Sequence, residues 1–322
     1  MCGRNVIAVV GAGQIGTRYL QGLASATNVS SVFVSDTRPE SLELADERLR
    51  QISGADRFTT TYSPDLSDCP PYVDVAIIAT TADVRASVVQ KLASAASVKY
   101  WILEKVLAQS VSDLDAIEKA VSRSTAAWVN TTRRAIPWYQ KIRAELDLSR
   151  PIQVTKTGHR WGLTCNGIHF VDLVQWWIRE QPLHVDTSGI LDWFPSKRPS
   201  FHEAAGTIRV NYDDTSSLIL VDKQEYENES LVLVDTPCES WTIDEDSGLA
   251  SSDRGKTIRG RIPFQSELTA PVVDGVLTTG ECCLPTIHDA VAGHRPYLAA
   301  LVSNWNTLHN RDQSESRRVP IT

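Results

Sequence analysis

The sequence predicts an α/β protein in which a doubly wound parallel sheet precedes a second α/β domain with a large, mostly antiparallel sheet. Three observations support this class. The apolar run at residues 6–10 ends in a turn with three glycines, strand-like and helix-like segments alternate to about residue 130, and short β-prone segments dominate after about residue 180.

The turn Gly11-Ala-Gly-Gln-Ile-Gly16 has the spacing of a dinucleotide-binding loop. Gly11 permits the tight turn, Gly13 lets the backbone approach a pyrophosphate, and Gly16 packs the following helix against the strand. The helix N-terminus offers unpaired N–H groups to phosphates, so we also expect Gln14 and Ile15 to contact the cofactor. The alternative is a glycine-rich turn in another kind of α/β protein.

Asp36 ends the predicted second strand, at residues 31–36, about 20 residues beyond the glycine turn. A carboxylate at this offset accepts the hydroxyls of the adenosine ribose and repels a 2′-phosphate, which favours NAD over NADP. Arg38 could contact either cofactor.

The rest of the first domain continues the alternation of strands and helices. Strands are predicted at 57–62, 73–81, 99–105 and 126–130, and helices at 39–52, 82–96 and 112–122. Ligands bind beyond the carboxyl ends of such strands, where the sequence places Thr80, Thr81, Glu104, Lys105 and Asn130.

The second domain is predicted to mix helices with short strands. Helices are expected at 137–146, 166–178 and 286–310, and β-structure at 152–157, 183–194, 206–212, 216–222, 230–235 and 239–243. We expect a hairpin turn at Asp213-Asp214 and a mobile loop over the polar stretch 244–256. Residues 1–130 should bind the dinucleotide, and residues 131–322 the substrate.

Composition narrows the classes of partner. At 322 residues the chain is long enough for two domains, and its 42% hydrophobic and 22% charged content is typical of globular proteins. The net charge of −7 argues against nucleic acid and anionic lipid, and no apolar run is long enough for a membrane span. We therefore expect a cytoplasmic protein. The six cysteines form no CxxC pair, so we expect reduced thiols and no metal.

Lys105 is the candidate acid/base. Hydride transfer from an alcohol leaves a hydroxyl proton that a positioned base must accept, and Lys105 follows a strand beside the expected nicotinamide site. The alternative is a surface lysine, or one paired with Glu104.

His169 and Asp172 lie three residues apart on a predicted helix, on one face with Asn166. We predict that this face contacts the substrate. His169 would relay a proton or bind the reacting hydroxyl, while Asp172 would bind a neighbouring hydroxyl or hold the imidazole tautomer. The alternative is a capping or core pair. A zinc site with Cys165 or His159 lacks diagnostic spacing.

Other candidates flank these segments. Arg133 and Arg134 follow the predicted sixth strand, where we expect contacts with an anionic substrate group or the nicotinamide amide, unless they are solvated charges at a helix start. Trp161 precedes the helix and could stack on a sugar ring.

Three motifs together resemble the Gfo/Idh/MocA oxidoreductase family: the GAGQIG turn, the pair Glu104-Lys105, and Gly167-Ile-His169-Phe-Val-Asp172. The resemblance implies a Rossmann domain followed by an α/β domain with a large sheet. It also implies NAD(P)-dependent chemistry on a hydroxyl or carbonyl of sugars, inositols or nucleotide sugars, in homodimers or homotetramers built through that sheet.

The sequence departs from the family pattern at several positions. Val106 replaces the proline after Glu-Lys, Cys165 replaces the aspartate four residues before His169, Thr81 replaces a proline, and Arg85 stands where a histidine is common. Segments 129–137 and 283–289 are similar to members associated with surface-polysaccharide and sugar biosynthesis.

The sequence therefore predicts an NAD-dependent oxidoreductase of a sugar-like, polyhydroxylated small molecule. Two alternatives remain. One is a nucleotide-binding sensor or partner subunit without turnover, and the other is an enzyme that holds NAD tightly for transient oxidation during elimination, epimerisation or hydrolysis.

Overall fold

A computed structural model describes residues 5–149, 151–212, 215–223, 230–309 and 317–322. Its strands are β1 (Val6–Val10), β2 (Ser31–Ser35), β3 (Thr59–Ser63), β4 (Tyr72–Ile78), β5 (Ser97–Leu103), β6 (Ala126–Val129), β7 (Gln153–Gly158), β8 (Pro182–Asp186), β9 (Ile190–Pro195), β10 (His202–Tyr212), β11 (Ser217–Asp222), β12 (Leu231–Asp235), β13 (Ser240–Asp244), β14 (Leu249–Ser252) and β15 (Thr257–Arg259). Its α-helices are α1 (Gln14–Leu23), α2 (Pro39–Arg50), α3 (Ala82–Ala95), α4 (Val111–Val121), α5 (Pro137–Glu145), α6 (Leu163–Ile178), α7 (Gln265–Thr279) and α8 (Ile287–Leu308).

The chain forms two compact units, the first of which holds residues 5–107, 113–130 and 263–287. Its sheet has the order β3-β2-β1-β4-β5-β6, and every neighbouring pair is parallel. In the central strands, Ile7, Val75 and Ile77 are fully buried, as expected for a parallel sheet covered on both faces. The predicted doubly wound Rossmann sheet is confirmed.

Helix α7 completes this first unit from late in the chain. It packs on α1, where a Cβ at Gly22 would collide with the carbonyl O of Ser266. Asp274 of α7 accepts hydrogen bonds from the backbone N and Oγ1 of Thr27, both at 3.0 Å. No element was predicted here from the sequence, and the helix contains Pro271, a residue that is unfavourable inside helices.

The second unit holds residues 108–112 and the described parts of 131–262 and 288–322. Its sheet has the order β15-β14-β13-β12-β7-β11-β10-β8, with β9 paired to β10, and only β7 and β11 run parallel. Helix α6 packs on β10 and β11. Gly167 permits this approach, because a Cβ there would lie 2.8 Å from Leu220 Cδ1 and would collide with Tyr297 Oη. The predicted, mostly antiparallel sheet is confirmed.

Two predictions in this unit were wrong. The polar stretch 244–256 is not a loop throughout, since β14 pairs with β13 and β15 through the registers Ile243↔Ala250 and Ala250↔Ile258. Ala250 is fully buried, so sheet pairing overrides the polar composition. Residues 183–194 form β8 and β9 with a turn between them, not one strand. The turn expected at Asp213-Asp214 lies outside the described residues.

Across the described residues, no helix combines the length and the apolar character that crossing a membrane would require.

Candidate functional site

In the first unit, the glycine turn connects β1 to α1 with an open face. Gly11 has φ +96°, a backbone conformation that favours glycine. A Cβ at Gly16 would collide with the carbonyl O of Gly11, so the turn requires both glycines. A Cβ at Gly13 would meet nothing within 4 Å. No described side chain caps α1 at Gly13, which leaves the N–H groups of Gln14 and Ile15 at an uncapped helix start. The turn therefore fits a phosphate group approaching Gly13.

The Asp36 carboxylate is held against this turn. Its Oδ2 accepts the backbone N–H of Ala12 at 2.8 Å, and its Oδ1 accepts that of Arg38 at 3.0 Å. The Asp36 side chain is 11% exposed, whereas that of Arg38 is 69% exposed. The carboxylate is thus fixed at the end of β2, in the position that a ribose-binding acid requires.

Glu104 lies in a buried hydrogen-bond network at the ends of the strands. Its Oε1 accepts from Tyr19 Oη at 2.6 Å and from Asn130 Nδ2 at 2.7 Å, and Asn130 also donates to Gln265 Oε1 at 2.8 Å. Burial and then the Glu104 charge raise the pKa of Tyr19, so its phenol stays a donor. This network connects α1, the end of β6 and the start of α7.

Arg85 connects the turns that follow β4 and β5. It is 1% exposed and donates to the carbonyl O atoms of Thr80 and Val106. The peptide between Lys105 and Val106 is cis, and Lys105 is partly exposed. In the sequence, Arg85 stands out only as a departure from the family pattern, yet its hydrogen bonds anchor the segment that carries the candidate acid/base.

Thr80 and Thr81 precede α3 at the carboxyl end of β4. The Thr80 hydroxyl is buried and has no hydrogen-bond partner among the described residues. A buried hydroxyl normally has a hydrogen-bond partner. The Thr80 hydroxyl, like the glycine turn, is therefore a position where a ligand group would fit.

In the second unit, a cavity of about 210 Å³ brings together four of the predicted substrate residues. They are Arg133, Trp161, Asn166 and His169. The other lining residues were not predicted from the sequence: Lys156, Phe170, Ser230 and Glu245.

The Trp161 wall of this cavity is fixed by backbone contacts. The Asp222 carboxylate accepts the N–H groups of Arg160 and Trp161, both at 3.1 Å, and burial raises the pKa of Asp222. Trp161 Nε1 donates to the Val221 carbonyl at 2.9 Å, and Asn166 Nδ2 donates to the Trp161 carbonyl at 2.7 Å. The indole is therefore preorganised.

Arg133 and Glu245 form a two-point ion pair on the cavity wall. Arg133 Nε and Nη2 each lie 2.9 Å from a Glu245 oxygen, and Tyr139 Oη donates to Glu245 at 2.7 Å. The guanidinium lies 4.0 Å from the Phe170 ring centroid. Burial alone would raise the pKa of Glu245, but Arg133 and Tyr139 hold it below its usual value. The charge of Arg133 is thus balanced within the protein.

Lys156 is the functional candidate that the sequence analysis missed. It is 2% exposed, its Nζ lies 2.6 Å from Ser230 Oγ, and the ring centroids of Trp161 and Phe170 are each 5.5 Å away. Burial lowers the pKa of Lys156 to about 8, although the Glu245 charge opposes this shift. The alternation of β7 places Lys156 on the buried face, which the sequence could have indicated.

Arg134 and Asp172 form a second buried ion pair. Arg134 Nε lies 3.0 Å from Asp172 Oδ2, and Arg134 Nη2 contacts Oδ1. Burial raises the pKa of Asp172 to about 6, with Arg134 opposing the shift. The structure thus joins a residue predicted to bind cofactor to one predicted to bind substrate, while His169 lines the cavity. His159 instead approaches the Lys223 carbonyl through Nδ1, at 2.8 Å.

The glycine turn, the fixed Asp36 and the six-stranded parallel sheet define a dinucleotide-binding Rossmann protein. Residues 6–131 match the family model described as "Oxidoreductase family, NAD-binding Rossmann fold", the GFO_IDH_MocA model. The match confirms, over residues 6–131, the resemblance to the Gfo/Idh/MocA oxidoreductases that the sequence motifs indicate. No curated protein matches the chain in sequence.

Several solved structures share the fold over almost the whole chain. A UDP-N-acetylglucosamine 3-dehydrogenase from Acidithiobacillus ferrooxidans is 17% identical, with a TM-score of 0.68 and coverage of 92% of this chain and 95% of that one. An oxidoreductase from Agrobacterium radiobacter, in complex with NAD+, L-tartaric acid and magnesium, is 15% identical, with a TM-score of 0.69 and 95% and 97% coverage. A super-repressor mutant of Gal80p from Saccharomyces cerevisiae is 14% identical, with a TM-score of 0.71 and the same coverage of 95% and 97%.

Proposed function

We propose that this protein is an NAD-dependent oxidoreductase that moves a hydride to or from a hydroxyl or carbonyl carbon of a sugar-like small molecule. The polar cavity of the second unit carries the proposal, because amide, imidazole and cationic groups meet an indole there. Polar groups that converge beside an aromatic side chain suit a polyhydroxylated ligand. The likeness to a nucleotide-sugar dehydrogenase supports the same class.

We propose NAD as the preferred cofactor. Asp36 is held at the end of β2 by the N–H groups of Ala12 and Arg38, and its negative charge would repel a 2′-phosphate bound beside it. The open face at Gly13 and the Thr80 hydroxyl supply the remaining contacts. Bound NAD supplies the hydride acceptor.

For the chain's own chemistry, we propose that Lys105 accepts the hydroxyl proton during oxidation and returns it during reduction. His169, on the cavity wall of the second unit, would hydrogen-bond a hydroxyl of the substrate. Asp172 would act on the substrate through Arg134, whose guanidinium it holds.

The first test is a titration of the purified protein with NADH and with NADPH, after bound cofactor has been assayed. Energy transfer from its nine tryptophans reports binding. We expect saturable NADH binding and NADPH binding that is at least about tenfold weaker, with the difference reduced in Asp36→Ala. If neither nucleotide binds and none copurifies, the oxidoreductase proposal fails.

The second test is a screen of sugars, inositols and nucleotide sugars for NAD reduction. With an active substrate, Lys105→Met should lower kcat by about 100-fold or more and leave NADH affinity unchanged. Lys141→Met, an exposed substitution on α5, is the matched control. Near-normal turnover in Lys105→Met would remove this lysine from the mechanism.

A regulatory protein is the second candidate. It is favoured by the likeness to Gal80p and by Val106 and Cys165, which replace the proline and the aspartate of the family pattern. Nucleotide binding without turnover of any substrate would support it. Isotope exchange at the substrate carbon without net NADH formation would instead support transient oxidation by tightly held NAD.

We also propose a cytoplasmic homodimer or homotetramer formed through the second sheet. Light scattering of the purified protein tests the assembly, and a monomer at micromolar concentration would contradict it.

A further inference from the structure

We propose that the cavity of the second unit recognises a carboxylate on its ligand, and that Lys156 is the residue that pairs with it. The inference rests on the proposed function only in taking this cavity as the substrate site. It narrows the ligand from sugar-like molecules in general to sugar acids.

The charges on the cavity wall support this ligand. Arg133 is balanced by Glu245, whose oxygens accept from Arg133 at 2.9 Å and from Tyr139 at 2.7 Å. Lys156 has no carboxylate within ion-pairing distance among the described residues, and its contacts are the neutral Ser230 hydroxyl and two aromatic rings. Among the described residues that line the cavity, positive charges therefore exceed negative ones by one, while Asp244 and Asp246 act on Lys156 from outside this lining.

The burial of the Lys156 ammonium group indicates that its charge needs a partner. A side chain that is 2% exposed and carries an ammonium group is normally paired, because desolvation penalises the isolated charge. An ammonium has three donors, and Ser230 accepts one of them. A ligand carboxylate in the cavity would take a remaining donor and supply the missing charge.

The neighbours of Lys156 fit the rest of a sugar acid. Asn166 and His169 line the same cavity and can hydrogen-bond hydroxyl groups, and the lining includes the indole of Trp161, a side chain that can pack against a sugar ring. Trp161 and Asn166 are locked to each other by a 2.7 Å hydrogen bond. The cavity thus combines one charged contact with several neutral ones.

The test is calorimetric binding of matched acids and neutral counterparts: D-glucuronate against D-glucose, D-galacturonate against D-galactose, and D-gluconate against D-sorbitol. We expect at least one acid to bind the wild-type protein at pH 7 at least about tenfold more tightly than its neutral partner. Lys156→Met should abolish this preference, while Lys141→Met retains it. Equal affinities, an undiminished preference in Lys156→Met, or no binding by any acid would overturn the proposal.

A proton measurement separates charge pairing from simple packing. Titrations at pH 9 in buffers of different ionisation enthalpy should reveal proton uptake on acid binding, since the ligand charge favours the ammonium form of Lys156. The other groups near Lys156 are Arg133, Glu245, Asp244 and Asp246, with His169 on the cavity wall. Uptake that persists in Lys156→Met would assign the proton to one of these and contradict the proposal.

These binding measurements need neither NAD nor turnover. Binding of a sugar acid without binding of NADH would support this inference and contradict the oxidoreductase proposal. Binding of NADH without binding of any sugar acid would contradict this inference and leave the oxidoreductase proposal unaffected.

Discussion

Gly13 and Gly16 belong to one turn, but the protein needs them for different reasons. A Cβ at Gly16 would collide with the Gly11 carbonyl O, whereas one at Gly13 would meet no protein atom within 4 Å. We expect Gly16→Ala to lower the free energy of unfolding by about 2 kcal/mol or more. Gly13→Ala should leave it within about 0.5 kcal/mol and weaken NADH binding about tenfold or more. Urea unfolding and NADH titration of both variants measure this; parallel losses would contradict the distinction.

Lys156 should make stability depend on pH in the alkaline range. Its pKa is about 8 in the folded protein, below the 10.5 of a free lysine, so the unfolded chain binds more protons between these values. Wild-type stability should rise across this window. Below pH 8 the folded protein carries a buried ammonium group at a desolvation cost, and above pH 8 that group loses its proton and the cost disappears. Lys156→Met should be more stable than wild type at pH 7 by up to about 3 kcal/mol, and the difference should close towards pH 10.5. Urea unfolding across pH 7–10.5, with Lys141→Met as control, tests this; a pH-independent difference would refute it.

Functional residues that belong to a recognisable sequence motif were predictable, and those outside any motif were not. The glycines and Asp36 have fixed spacings because a nucleotide has fixed dimensions. Arg85 and Lys156 have no such spacing, since their roles come from carbonyls and rings contributed by distant segments.

Among the elements, the Arg134–Asp172 pair joins α6 to the 3-10 helix Thr132–Ala135. Arg134→Met would leave a buried carboxylate unpaired, which costs about 3–5 kcal/mol. Burial already raises the pKa of Asp172 to about 6, so the loss should be larger at pH 8, where the carboxylate is charged, than at pH 5.

Addition of Asp172→Asn to Arg134→Met should recover much of the lost stability at pH 8. Chemical denaturation of the two single variants and the double variant gives the coupling energy. Additive losses with no dependence on pH would mean that the pair contributes no charge interaction.

Elements with strong local periodicity, such as β4 and α6, were predictable from the sequence. Helix α7 and the strands β14 and β15 were not. The polar segment 244–256 becomes strand only because β13 offers a paired edge, and α7 is stabilised by packing on α1. Both depend on partners that no local pattern encodes.

For the whole molecule, the Rossmann unit is not contiguous in sequence. Residues 263–287 return to it and cover α1 around Gly22. A fragment of residues 1–130 should therefore expose apolar surface and unfold without cooperativity. Joining residues 263–287 to it through a Gly/Ser linker should restore a cooperative transition and NADH binding. Thermal melts and NADH titrations of both fragments test this; full NADH affinity in the shorter one would contradict it.

The late return of α7 also sets the order of events on the ribosome. The first strands emerge early, but the nucleotide-binding unit waits for residues 263–287, which follow most of the second unit and are completed roughly 10 to 30 s after residue 130 at ordinary elongation rates. The unit that is encoded first can therefore be completed only after most of the second unit has been made, and until then α1 lacks the helix that packs on it around Gly22.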